Sequence, residues 1–418
     1  MTDHSVLAPP RRTAAPAPAV RRGGFSSARV ARMHDALLRH VEGDRIPGLV
    51  ALVHQRGREH VETIGAMAFG SDLPMRRDTI FRLASTTKPI TAAGAMTLVE
   101  DCRIRLDDAV EEWLPELRDR RVLRTIDGPL DDTVPALRPI TVRDLLTFRS
   151  GYGEVGFIAP MSPLQKALTD SRLPLSEWPF AGNPDEFMKR LGALPLASQP
   201  GERWLYHMSA EILGVLISRV SGMSLGAFLR QRIFEPLGMT DTGFQVPEAD
   251  LDRLPACYGT DMATGKLVVL DEARSGYAAR PPVFESGAGG LVSTADDLLA
   301  FGRMMLVRGG GERVLSRPSI ELMTMDQLTP AQKAVSPFFE HFWDTRGWGL
   351  GMGVVTARGD VAEVPGRFGW DGAFGTSWYV DPNAELIGIL MMQRRPDRLA
   401  LPAVAADFWT SAYQLLED

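Results

Sequence analysis

The sequence predicts a mixed α/β protein of the α+β kind, an antiparallel sheet flanked by helices with a mostly helical segment inserted between its strands. Three observations carry that expectation. A helix followed by two strands reads from residues 26–68, β-type composition returns only after residue 347, and the segments between are periodic at helical spacing.

Val30, Met33, Leu37 and Val41 lie on one helical face, with Ser26 or Ser27 available as the cap. Residues 48–54 form a short apolar run bounded by turn residues, and residues 58–68 read as a second strand, so a hairpin is expected. From about residue 91 to 237 the elements are helical, separated by loops rich in Pro and Gly at 127–139 and 171–184. Ile212, Val215, Leu216, Arg219 and Val220 share helical spacing, and Ser221-Gly222 closes that helix. Strands are expected at 348–355, 374–380 and 386–393, with a last helix over 401–416. The domain reading is therefore a flexible Pro/Ala/Arg-rich leader at 1–24, a sheet domain from 25–95 and 285–418, and a mainly helical domain at 96–284.

A chain of 418 residues fits one large domain or two intimate ones. Its formal charge of −6 excludes a general polyanion binder, so nucleic acid is not an expected partner. No apolar run approaches the ~20 residues that span a bilayer, so no membrane partner is expected. The leader carries Arg11, Arg12, Arg21 and Arg22 without the apolar core of a secretory signal, so a cytoplasmic location is expected. Cys102 and Cys257 are far apart, so they read as two small buried hydrophobes; no disulfide, metal or cofactor is expected.

The chemistry centres on Ser85-Thr86-Thr87-Lys88. Residues 89–99 contain no charge and suit a helix buried on every side, with Pro89 in its first turn. Positions i and i+3 share a helical face, so Ser85 and Lys88 can touch. A serine hydroxyl is a poor nucleophile until a base takes its proton. A lysine of pKa ~10.4 cannot serve unless burial disfavours its ammonium form. The helix N-terminus adds N–H groups where an oxyanion would form. Alone the pattern is weak, because an N-capping serine beside a solvated lysine gives the same four letters.

Other segments add weight: Pro200-Gly201-Glu202-Arg203-Trp204-Leu205-Tyr206, Gly369-Trp370-Asp371-Gly372-Ala373-Phe374-Gly375-Thr376, Leu145-Leu146-Thr147-Phe148-Arg149-Ser150-Gly151, and residues 286–295. With the S-x-x-K motif, they resemble the serine β-lactamase and penicillin-binding protein superfamily. Within it they are most similar to the class C β-lactamase-like branch and the family VIII carboxylesterases, from about residue 25 to the C-terminus. The resemblance implies Ser85 as the acylated serine, Lys88 as its partner and Tyr206 as the tyrosine of the Y-x-N motif. It leaves open whether Lys88 or Tyr206 is the base; the phenol would need two ammonium neighbours to ionise. The third motif, usually Lys-Thr-Gly, aligns with Trp370-Asp371-Gly372, and Met208 stands where Y-x-N has asparagine. Losing that lysine removes an anion partner and supplies apolar surface, which favours neutral esters over carboxylated β-lactams. Ala373, expected on an edge strand facing the nucleophile, would pair its backbone N–H with that of Ser85 as the oxyanion hole. Tyr152, Trp370, Asp371 and Gly372 are the expected substrate-binding residues.

The resemblance thus implies hydrolysis of short-chain carboxylic esters, with a small-molecule ester as the only partner and no oligomeric state specified. β-Lactamase, D-amino-acid peptidase or acyltransferase activity on the same fold is the alternative, and a non-catalytic penicillin-binding sensor is the reading from another class. Gly222-Met223-Ser224-Leu225-Gly226 also fits the G-x-S-x-G elbow, which needs a preceding buried strand. A helix precedes it instead, so Ser224 reads as an N-cap. His207, without ligand partners, reads as structural.

Overall fold

The computed structural model describes residues 25–43, 45–173, 180–261, 263–306, 312–396 and 403–416. The leader expected at 1–24 lies outside the described residues. The chain opens with α1 (Ser27–Glu42), which buries Met33 and Leu37 as its periodicity predicts. β1 (Gly48–Gln55) and β2 (Arg58–Gly65) pair in register from Gln55–Arg58 to Gly48–Gly65. Arg56 and Gly57 both have positive φ, 49° and 81°, the geometry a two-residue hairpin turn needs to match strand twist.

Five further strands come from the end of the chain: β3 (Arg346–Trp348), β4 (Gly353–Val355), β5 (Phe368–Gly372), β6 (Thr376–Asp381) and β7 (Leu386–Met392). They complete a seven-stranded sheet of order β2-β1-β7-β6-β5-β4-β3, whose recorded pairs are antiparallel. The single strand expected over 348–355 is two, because Gly351 (φ 79°) turns the chain back between them. β5 has neighbours on both sides and is not an edge strand, although only Phe368 and Gly369 pair with β4.

Alternation along the strands divides two cores. Leu49, Ala51, Val53, Leu390 and Met392 pack beneath α1 and the last helix, which runs Ala403–Gln414 and contributes Phe408 and Trp409. Val50, Leu52, Ile387 and Ile389 face the opposite core. There the principal helices are α2 (Thr87–Glu100), α3 (Met208–Ser221) and α4 (Ala295–Met305). α2 is buried on every side through Leu98, as the charge-free run at 89–99 requires. Packing is close at Gly94, where a Cβ would lie 2.6 Å from the end of the Leu229 side chain and force it to shift.

Between Asp101 and Phe284 lie short helices, including Val142–Leu146, Pro163–Asp170, Pro184–Gly192 and Leu225–Leu229. Two small hairpins, Arg121–Leu123 with Thr133–Pro135 and Cys257–Thr260 with Leu267–Asp271, interrupt them. Among the described residues no single helix is long and apolar enough to cross a membrane. Cys257 is buried, and burial raises its thiol to about 12. Cys102 is not the buried hydrophobe expected of it. It follows the end of α2 with φ 57° and is exposed.

Candidate active site

The loop into α2 sets the site. Phe81–Arg82 pairs with Val292–Ser293, and the Leu83 N–H donates to the Leu291 carbonyl at 2.8 Å. Ala84 then takes a positive φ of 47°, costly for any residue with a Cβ, and a short 3₁₀ turn (Ala84–Thr86) leads into α2. Ser85 is only partly buried. One helical turn on, Lys88 is fully buried and its Nζ donates to Ser85 Oγ at 2.7 Å and to the Ala288 carbonyl at 2.8 Å. Burial disfavours its ammonium and lowers its pKa to about 7, with the charge of Glu211 pulling the other way.

Tyr206 arrives from a different part of the chain. His207 has φ 83° and ψ −52°, and the Met208 N–H donates back to the Tyr206 carbonyl at 3.2 Å. This is the rare, strained form of γ-turn, placed directly before α3. The Tyr206 hydroxyl hydrogen-bonds with Ser85 and accepts from Trp370 Nε1 at 2.7 Å, while Lys88 Nζ lies 4.7 Å from its ring centre. Burial raises the phenol well above its ordinary value, and the two hydrogen bonds offset only part of that. Among the described residues Tyr206 does not have the pair of ammonium neighbours that a phenolate would need. Lys88 is one, and the other position holds the Trp370 indole. Burial thus disfavours both the ammonium of Lys88 and the phenolate of Tyr206.

β5 brings its end against Ser85. A Cβ on Gly372 would sit 2.1 Å from the Leu83 carbonyl oxygen, so the two backbones meet as only glycine allows. Thr376 Oγ1 fastens the approach, donating to the Leu83 carbonyl at 2.8 Å and lying 3.1 Å from Thr86 Oγ1. Ala373 is in the turn between β5 and β6 rather than on a strand, one residue beyond this contact.

Ser85, Lys88, Tyr206, Trp370 and Gly372 are therefore brought together. Two expected substrate-binding residues are not. Successive strand residues face opposite sides, so Asp371 points away from Trp370, and its carboxylate accepts from Ser377 Oγ at 2.6 Å and Tyr379 Oη at 2.7 Å. Ser377 in turn accepts from Trp409 of the last helix, which puts Asp371 beneath that helix. Tyr152 is buried in the core of the helical region, its hydroxyl 3.4 Å from both Arg120 Nη1 and the Leu194 carbonyl. Met208 is wholly buried. Ser224 Oγ accepts from the Ala227 N–H as an N-cap, and helix α3 precedes it, so the elbow geometry is not formed.

The sequence reading passed over two features. Glu211 is the single charge in the first ten residues of α3, an apolar stretch in which a lone carboxylate is itself a signal. Ser286 Oγ donates to it at 2.6 Å and the Ala288 N–H at 3.3 Å, and burial raises its carboxyl to about 7 against those donors and the Lys88 charge. The second is an aromatic wall. Phe148, Trp204, Phe338, Trp348 and Trp370 form one cluster, joined by partly buried Tyr206, Phe157, Phe339 and Phe342. Trp348 and Trp370 meet edge to face at 4.7 Å. No group of acidic, His or Cys side chains among the described residues could hold a metal ion.

A mixed fold of this topology with a Ser-Lys-Tyr cluster defines a class. The chain belongs to the β-lactamase family, whose profile matches residues 34–407. It is 40% identical over 369 residues to Protein Rv1367c of Mycobacterium tuberculosis, covering 86% of this chain and 89% of that one. Esterase EstB of Burkholderia gladioli is 30% identical over 400 residues, 91% of this chain and 93% of the relative. Among solved structures, EstCE1, described as a hydrolase with promiscuous acyltransferase activity, shares the fold. Its TM-score is 0.75 at 22% identity, over 92% of this chain and 98% of that one.

Proposed function

We propose that the protein is a serine carboxylesterase that cleaves short-chain esters through an acyl-enzyme on Ser85. The observation that carries this reading is the 2.7 Å contact between Lys88 Nζ and Ser85 Oγ, made by a lysine whose burial favours the neutral amine. Lys88 takes the Ser85 proton as Oγ attacks the ester carbonyl. The backbone N–H groups of Ser85 and Ala373 hold the oxyanion. Tyr206, a neutral phenol, passes a proton to the departing alkoxide and is reprotonated from Lys88. Water then attacks the acyl-enzyme along the reverse proton path.

Substrate class follows from what surrounds the serine. The indole of Trp370 and the apolar side chain of Met208 occupy positions where β-lactamases carry a lysine and an asparagine, so a substrate carboxylate finds no cation there. The aromatic wall suits an apolar acyl or alcohol group instead. The 30% identity to an esterase supports the same choice. The partly buried aromatic rings beside Trp370 would also suit an apolar alcohol as acyl acceptor, and EstCE1 is described as having promiscuous acyltransferase activity. Turnover of p-nitrophenyl butyrate and nitrocefin on one preparation tests the reading. Ester turnover well above nitrocefin turnover is expected; the reverse order would make the protein a β-lactamase.

A further inference from the structure

Lys88 is held from behind by a chain of contacts that ends on Glu211. The Ala288 carbonyl that accepts from Lys88 Nζ belongs to a tight turn over residues 286–290, closed by the Gly290 N–H donating to the Ser286 carbonyl at 3.1 Å. Ser286 Oγ accepts from the Gly289 N–H at 3.0 Å and donates to Glu211 at 2.6 Å. The Ala288 N–H adds a second anchor on the other carboxylate oxygen at 3.3 Å. The turn seats directly on α3: a Cβ on Gly287 would lie 2.5 Å from the Ala210 carbonyl. Glu211 is 1% exposed, and burial raises its carboxyl to about 7 against these donors and the charge of Lys88.

We infer that Glu211 is a positioning residue for Lys88: it fixes the turn whose Ala288 carbonyl aims the lysine at Ser85, and supplies a negative charge facing that lysine. The reasoning rests on the reading of Lys88 as the base. A neutral amine has two N–H donors and one lone pair. With one N–H committed to Ala288, rotation about the Cε–Nζ bond is restricted and the lone pair is presented to the Ser85 hydroxyl. Substrate never needs to touch Glu211; it lies on the far side of the turn.

The charge has a separate consequence. The titratable groups facing the Lys88–Glu211 pair are Tyr206, whose ring lies over Nζ, and His207, whose Nε2 is 3.8 Å from Glu211. Glu211 favours the ammonium form of Lys88, so its charge raises the pH at which the base becomes available. The acid limb of kcat/KM then belongs to the pair and not to either residue. Replacing the carboxylate by an amide removes the charge that holds the proton on Lys88, and the limb must move to lower pH.

The test measures kcat/KM against pH for wild type, Glu211→Gln, Glu211→Asp and Ser286→Ala. It is read with intact-mass labelling of Ser85 by a serine-directed phosphonate. Glu211→Gln should move the acid limb down by about 1 pH unit, the scale of one neighbouring charge. It should also lower kcat about 10-fold, since the Ala288 turn loses an acceptor. Glu211→Asp should keep the limb in place. Should Glu211→Gln not fold, Ser286→Ala, which removes one donor that keeps the carboxylate ionised, should move the limb the same way by less. An unmoved limb in the folded variants, with activity reduced equally at every pH, would overturn the inference and leave Glu211 as packing only. Failure of the phosphonate to label wild-type Ser85 would overturn the prior reading instead.

Discussion

Replacing Gly372 by alanine adds a Cβ that would lie 2.1 Å from the Leu83 carbonyl oxygen and 2.1 Å from Thr376 Oγ1. Comfortable carbon–oxygen contacts begin near about 3.3 Å, so β5 must withdraw from the Ser85 turn by roughly 1 Å. Thr376 bonds the Leu83 carbonyl on the same side and cannot yield without losing that 2.8 Å hydrogen bond. If Ala373 supplies an oxyanion donor, a displacement of that size carries it out of range. Misplacement by about 1 Å costs ~10²-fold in rate, and loss of one oxyanion donor costs ~10²–10³-fold. The expected result is kcat for p-nitrophenyl butyrate lowered about 100-fold with KM changed little. Overpacking should also destabilise the protein by about 1–3 kcal/mol, read by chemical denaturation. A folded Gly372→Ala enzyme retaining kcat within about 3-fold of wild type would refute the placement of the oxyanion hole at this turn.

Further outcomes follow from the same geometry. Tyr206→Phe keeps the ring over Lys88 but loses the hydroxyl, and kcat should fall about 10²–10⁴-fold with modest change in KM; steady-state kinetics decide it. Trp370→Phe removes the 2.7 Å donor to Tyr206, worth about 1 kcal/mol, so kcat/KM should drop roughly 5-fold. Activity requires Lys88 neutral, and burial lowers its pKa to about 7. Ester turnover should therefore rise as pH increases through that region, and a profile flat from pH 5 to 9 (about two units either side) would count against Lys88 as base. Ellman's reagent should modify Cys102 in the native protein and reach buried Cys257 only on unfolding.

Much of the fold was legible because the informative segments are extreme. β1 and β7 are apolar on both faces, and α2 has no charge between Lys88 and Glu100, so burial leaves each little choice of partner. The division of 348–355 into two strands is signalled only by Gly349, Gly351 and Gly353, since apolar residues continue on both sides of the turn at Gly351. Ser85, in the 3₁₀ turn, and Lys88, in the first turn of α2, could be paired from their three-residue spacing. Tyr206 and Trp370 came only through resemblance, because no local rule joins residues so distant in the chain. Asp371 was misplaced by treating a motif as a unit, although period-two alternation sends it beneath the opposite face from Trp370. Tyr152 follows Ser150-Gly151 in sequence, yet nothing local tells which way its ring turns. The aromatic residues Phe338, Phe339 and Phe342 join the site by tertiary packing alone.

The central claim is that Ser85 carries the acyl group. Intact-mass spectrometry after brief incubation with a serine-directed phosphonate tests it most directly, with Ser85→Ala and Ser224→Ala alongside wild type. One adduct on wild type and on Ser224→Ala, mapped to the Ser85 peptide, with no adduct and no ester turnover in Ser85→Ala, is the predicted result. Labelling or turnover retained in Ser85→Ala would contradict the account.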